Sequence, residues 1–453
     1  MKSSRIFLAY LILSAFIATL TYAQDYERKS LNVTVYNNNL GVIKDVRNIN
    51  IEKGVSNIKV TDVAEKIDPT SVNIKLNGTV LEQNYQYDLV SLNKILEKYI
   101  DKEITLLNDK TVISGTLLSC GSNIVLRKKD GGLLMLPKID DYQISVGTLP
   151  QGLITMPTLV WTVDSKSSGK QDVEMSYMTE GMGWHAEYVA VLNDKDTKMD
   201  LKSWVSINNM SGATYPNADL KLIAGDVNRV QDMPPPNVYR AKMYAEAVDA
   251  AAQQFEEKSF FEYHIYTLQR PTTLSNNETK QISLFEADNV QIKKKYIYKS
   301  GWYSSDKKVQ VAVEFFNKKD NNLGVPMPKG KVRLYKSEGT TVEFIGEDQI
   351  DHTPKDENVT LKVGDAFDIK VEDIEKDQKR ISDKVADHSY EITIKNKKDE
   401  DVVVEVEKYL GYNWEMLESS ISFEKKNAMT VVFKVPVKKD KETKLTFKVR
   451  YSN

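Results

Sequence analysis

The chain has 453 residues, with 62 Lys and Arg against 64 Asp and Glu and a formal net charge of −2. The two signs are interleaved, so there is no basic stripe to hold nucleic acid and no charge field that selects an anionic membrane. Cys120 is the only cysteine, which excludes a disulfide within the chain.

Lys2 and Arg5 precede an apolar run from Ile6 to Leu20, and Thr21-Tyr22-Ala23 ends in a small residue before the polar Gln24-Asp25-Tyr26. This is the pattern of a secretory signal peptide over 1–23. The run of about 15 residues falls short of the roughly 18 to 20 that span a bilayer. The mature chain is therefore expected to start at Gln24 and to work in the periplasm, at the cell surface or as a secreted protein. No later apolar run is long enough to cross a membrane. The remaining length suits about three domains.

Residues 24–90 read as a β segment of short strands. Asn77-Gly78 lies between Val72–Leu76 and Thr79–Leu81, which predicts a hairpin, because both turn residues tolerate positive φ. A different module spans 91–147. Leu92, Ile95, Leu96 and Tyr99 follow a helical spacing behind a Ser91 N-cap. Strands are then expected at Ile104–Leu107, Thr111–Leu118, Ile124–Arg127 and Leu133–Leu136, joined by tight turns. One helix and about five short strands resemble a small Sm- or SH3-like barrel. Cys120 follows Leu117-Leu118 there, in the manner of a small buried hydrophobe.

A central β domain is expected over 148–358. Met182, Trp184, Ala186 and Tyr188 fall on one face of a strand, and His185, Glu187 and Val189 on the other. Pro234-Pro235-Pro236 ends any sheet, and the Ala-, Glu- and Gln-rich stretch behind it favours helix. Residues 231–258 are thus expected to be a Pro-rich and partly helical insertion or a disordered linker, with strands resuming at Phe260. Over 359–453 the pattern is most regular. Tyr390, Ile392 and Ile394 alternate with polar residues, as do Leu445, Phe447, Val449 and Tyr451. About seven such strands predict an immunoglobulin-like sandwich. The fold class is thus mainly β: a multi-domain β-sandwich with an immunoglobulin-like C-terminal domain and a small barrel inserted near the N-terminus.

Chemistry is sparse. Trp184 and Trp204 could offer aromatic platforms to a sugar, but a large aromatic in a sandwich is usually core. Glu262 and His264 share a strand face and could act as base or metal ligand, or simply as a cross-strand ion pair. Glu347-Asp348-Gln349-Ile350-Asp351-His352 gathers acids and a histidine in an expected loop, without the spacing of an EF-hand and with no HExxH pair elsewhere. No GxSxG elbow or P-loop occurs. No metal and no cofactor is expected.

Several motifs together resemble the bacterial family called domain of unknown function 4139. They are Tyr177-Met178-Thr179-Glu180-Gly181-Met182-Gly183-Trp184, Asn209-Met210-Ser211-Gly212, Asn217–Val227, Gln269-Arg270-Pro271-Thr272-Thr273-Leu274 and Leu323–Gly330. The resemblance runs from about residue 170 to the C-terminus. It implies a β-rich exported bacterial protein, with some relatives called mucoidy-inhibitor-like and linked by name to surface polysaccharide. It brings no catalytic residues. The expected function is a non-catalytic envelope scaffold that binds a protein or glycan partner. The alternative is a hydrolase or lyase of envelope polysaccharide, using Glu262, His264, Asp348 and His352.

Overall fold

The computed structural model describes residues 26–121, 123–137, 142–225, 227–228, 254–260, 263–301 and 307–452. The expected signal peptide and most of the Pro-rich insertion lie outside the described residues. The chain is mainly β. Its strands form four sheets, and a single short α-helix lies among the described residues.

The first body begins with Glu27–Tyr36 and Gly41–Ile51, an antiparallel pair. Alternation sets their inward faces: Leu31, Val33 and Val35 on one, Ile43, Ile49 and Ile51 on the other. Residues 24–90 do not close on themselves. Gly41–Ile51 pairs along its whole length with Gly169–Thr179, and Glu27–Tyr36 pairs in parallel with Tyr215–Ala224. Two charges, Asp45 and Arg47, sit inside this body. They are affordable because they are partnered: Arg47 forks onto Asp45 and Asp62 at 2.7 Å each, and Arg28 Nη2 reaches Asp62 at 2.9 Å.

The hairpin expected at Asn77-Gly78 does not form. Asn73–Lys75 pairs with Gly169–Thr179, whereas Gly78–Gln86 pairs with Thr158–Ser165 in another sheet. Gly78 serves close approach instead: a Cβ there would lie 2.7 Å from the Asp164 carbonyl oxygen.

The 91–147 module has its own core of Leu96, Tyr99, Ile104, Leu106, Leu117, Ile124 and Leu126. Its helix, Leu92–Lys98, is capped by Ser91, whose Oγ accepts from Lys94 N–H at 3.3 Å. Leu92, expected inward, is exposed. The five strands run in the order last, first, second, third, fourth, and this ladder remains open among the described residues. The thiol of Cys120 is half-buried and pushed up by burial.

The expected insertion ends before 258. Phe255–Phe260 is an edge strand paired with Tyr263–Leu268, and Phe255 is buried opposite Leu268. Burial of that cross-strand pair overrides the helical preference of the Gln- and Glu-rich sequence.

The fourth sheet is built on two long strands. Glu278–Ser300 pairs first with Lys198–Asn209 and then, past residue 291, with Lys308–Asn317 and Val402–Tyr409. Glu357–Arg380 likewise leaves Lys308–Asn317 for Val385–Asn396. Seven strands lie between 357 and 452, but the C-terminal core also includes Tyr296, Tyr298 and Val309, so the sandwich draws on residues before 359. No helix among the described residues is long and apolar enough to cross a membrane.

Candidate functional site

Strand Met182–Leu192 separates two environments. Its inward residues Met182, Trp184, Ala186 and Tyr188 are buried. Trp184 is 2% exposed; its Nε1–H donates to the Ile223 carbonyl at 3.0 Å, and its ring meets Tyr266 edge-on at 6.1 Å. It is a core side chain with a satisfied polar tip. Trp204 is 37% exposed on the outward face of the neighbouring strand, where its backbone pairs with Glu187.

On the outward side of Met182–Leu192, His185 faces a cleft of about 580 Å3. Long-range pairing makes this cleft. Gly330–Glu338 runs parallel to Met182–Leu192 and pairs with Thr341–Ile350 on its other edge. Gly330 allows that approach, because a Cβ would come within 2.1 Å of the Ala186 carbonyl oxygen. The walls carry His185, Lys329, Lys331, Glu347, Asp348 and His352, with Asn37 and Asn38 from the first body. Asn37 ties the turn after Glu27–Tyr36 to Met182–Leu192, donating through Nδ2 to the Trp184 carbonyl at 3.0 Å.

Glu347 to Ile350, expected in a loop, belong to the strand Thr341–Ile350. Asp348 is held at both oxygens: Oδ1 accepts from Gln349 N–H at 2.9 Å and Oδ2 from Lys362 N–H at 2.6 Å. The second bond ties this hairpin to Glu357–Arg380. His352 Nδ1 accepts from Lys329 N–H at 3.2 Å, which places the proton of the neutral ring on Nε2.

Asp348 also lines a second hollow, of about 730 Å3, on the outward face of the fourth sheet. Lys293, Lys295 and Lys299 project from Glu278–Ser300, Glu405 and Glu407 from Val402–Tyr409, and Lys434 from Thr430–Val437. Lys295 pairs with both Glu314 and Glu405, and Lys426 lies 2.5 Å from Glu407. Lys293 and Lys299 form no ion pair among the described residues. Lysines outnumber acids seven to five in this lining, against a chain that is net acidic.

Asp348 and His352 therefore share one cleft, joined by His185. His264 lines neither hollow: its Nδ1 lies 2.6 Å from Glu257 Oε1 on the paired strand. Glu262 lies outside the described residues. Among the described residues no three His, Cys, Asp or Glu side chains are placed to hold a metal ion. Of the candidate hydrolase residues that are described, Asp348 and His352 share a cleft and His264 stands apart from it.

Sequence reasoning missed Lys293, Lys299 and His185 as neighbours of Asp348. Their outward phase is legible, but their convergence rests on pairings between strands about 100 or more residues apart. It also missed the burial of Lys408, whose signal is local: Val402, Val404, Val406 and Lys408 share one strand face.

The family model for the domain of unknown function DUF4139 matches residues 173–453. This chain belongs to that family. The match covers the strands that carry both hollows except Asn37 and Asn38. None of the curated proteins compared with the chain matches it.

Proposed function

We propose that this protein is an exported, non-catalytic envelope scaffold that binds an acidic polysaccharide chain along the two hollows that meet at Asp348. The observation that carries the reading is this continuity. Two hollows of about 580 and 730 Å3 share one residue, so an extended polymer can lie across both. Their walls offer amines, carboxylates, amides and two imidazoles, with Trp184, Ile297, Ala312 and Val432 among them, a mixture that suits the hydroxyl and carboxylate groups and the apolar ring faces of a sugar chain. The excess of lysine, with Lys293 and Lys299 unpaired among the described residues, favours an acidic polymer.

The signal-peptide pattern at 1–23 supports work outside the cytoplasm. The sheets around the hollows fit a scaffold, because most wall residues are held by strand pairing, with Asn37, Asn38, Lys329 and His352 on the adjoining turns. The test is titration of the mature chain, Gln24–Asn453, with the acidic polysaccharide fraction of the envelope. Binding should be saturable and should weaken with salt, and Lys293→Glu with Lys299→Glu should lower affinity at least about tenfold. Binding that is absent in the folded wild type, or unchanged in that double variant, would overturn the reading.

A further inference from the structure

Four tryptophans lie among the described residues, and three of them use the indole N–H within the protein. Trp161 donates to Gln83 Oε1 at 2.8 Å, Trp184 to the Ile223 carbonyl at 3.0 Å and Trp414 to the Ala428 carbonyl at 2.8 Å. Trp204 donates to no group among the described residues. The strand explains why. Ser203 and Val205 are fully buried on either side of Trp204, so alternation turns the indole outward. Its cross-strand neighbours are Glu187 and Ser283, and Lys202 and Ser206 precede and follow it on the same face. None of the four is apolar, so both the ring and its N–H stay open to a ligand.

Fixed polar groups surround this ring. Gln281 Nε2 donates to Glu187 Oε2 at 3.1 Å and to Ser206 Oγ at 2.9 Å, and Glu187 lies 3.5 Å from His185 Nε2. A flat indole flanked by a held amide and carboxylate matches a sugar ring, which has an apolar C–H face and a rim of hydroxyls. The position also continues the cleft. Thr341–Ile350, Gly330–Glu338, Met182–Leu192 and Lys198–Asn209 follow one another across the sheet. Lys331 of the cleft, Glu187 and Trp204 are partners in one row over the last three of these strands. The indole therefore stands two strand spacings, about 10 Å, from Lys331. A chain that leaves the cleft past His185 meets Trp204 next.

We propose that Trp204 is a stacking subsite for an uncharged sugar ring of the bound polymer, beside the cleft. The inference rests on the polymer-binding reading above and sharpens it. The ring is uncharged because Glu187, next to Trp204, repels an acidic one, while Lys202 on the same face is drawn to Glu286 at 3.5 Å. The polymer so recognised mixes neutral with acidic sugars. Its carboxylates meet Lys293 and Lys299, and a neutral ring lies on Trp204.

The experiment titrates the mature chain with two probes: the acidic polysaccharide fraction of the envelope, and the same fraction with its carboxylates chemically reduced to alcohols. Trp204→Ala, checked for folding by circular dichroism, should bind both probes about fivefold more weakly, at low and at high salt. Trp204→Phe, which keeps a ring face, should stay within about twofold of the wild type. Lys293→Glu with Lys299→Glu should weaken binding of the unreduced probe alone, and only at low salt. Unchanged affinity of Trp204→Ala for the acidic fraction, where the lysine double variant loses affinity, would overturn the stacking subsite and leave the polymer-binding reading standing. No binding of either probe by the folded wild type would overturn both.

Discussion

Strands Glu278–Ser300 and Val402–Tyr409 lie side by side and carry lysines on both faces. On the outward face, Lys293, Lys295 and Lys299 stand among Glu314, Glu405 and Glu407 in a wet hollow. On the inward face, Lys408 stands beneath Tyr390 and against Ser300. Lys293 and Lys299 are exposed and hydrated, whereas Lys295, about a fifth exposed, is held by Glu314 and Glu405. The inward one loses its hydration and must be compensated by specific partners. The same residue type thus carries different information on the two faces. Outside, only an accumulation of lysines points to a ligand; inside, a single lysine demands an explanation.

The largest test of this contrast uses the tryptophans. Trp184→Ala should destabilise the fold by about 3–5 kcal/mol in urea unfolding, because it empties a core site and strands the Ile223 carbonyl. Trp204→Ala, on the outward face, should cost under about 1 kcal/mol. Equal losses would contradict the assignment of faces.

Next in size is the cluster around Lys408. Asp373→Ala removes the carboxylate that Ser300 and Tyr298 hold, and should cost about 2–3 kcal/mol by the same assay. Lys408→Met should cost less than Asp373→Ala, because it removes the buried charge itself. The wild type carries a pH signature here. The folded pKa of Lys408 lies below its unfolded value, so the unfolded chain binds more protons between the two values. Stability should therefore rise with pH across that window, and Lys408→Met should flatten the rise.

A smaller effect is expected at Asp196, on the outward side. Burial pushes its carboxyl up, but Lys294 and Lys336 outweigh this and hold it below its usual value. Its contribution should be present above the unfolded pKa of about 3.9 and be lost as pH falls through the lower folded value. Solvent screening keeps that contribution under about 1 kcal/mol. Asp196→Asn should remove this part of the acid dependence. The smallest effect belongs to Lys293→Met, which should change stability by less than about 0.5 kcal/mol while weakening polymer binding.

Much of the fold is legible in the sequence because alternation is local. Ile392 and Ile394, Leu445 to Val449, and Met182 to Tyr188 fall inside as their phase requires. The Ser91 cap is legible for the same reason. What fails is partner choice. Asn77-Gly78 carries a strong hairpin signal, yet the strands beside it find better burial in separate sheets. The strand Phe255–Phe260 is likewise hidden, since the alanine-, glutamine- and glutamate-rich stretch leading into it argues locally for helix. The clefts are least legible. His185 and His352 meet only because Met182–Leu192 pairs in parallel with Gly330–Glu338, and no local pattern encodes that. Lys408 is the exception, a buried charge visible as a break in its own strand's apolar phase.

The most direct test of the central claim is polymer binding across the shared hollow. Mature wild-type chain and the Lys293→Glu, Lys299→Glu double variant would be titrated in parallel with the acidic polysaccharide fraction of the envelope, at low and high salt. The account requires salt-sensitive binding by the wild type and at least about a tenfold loss in the variant, with unfolding midpoints that match. Equal affinity in the two proteins, or no binding by folded wild type, would contradict it.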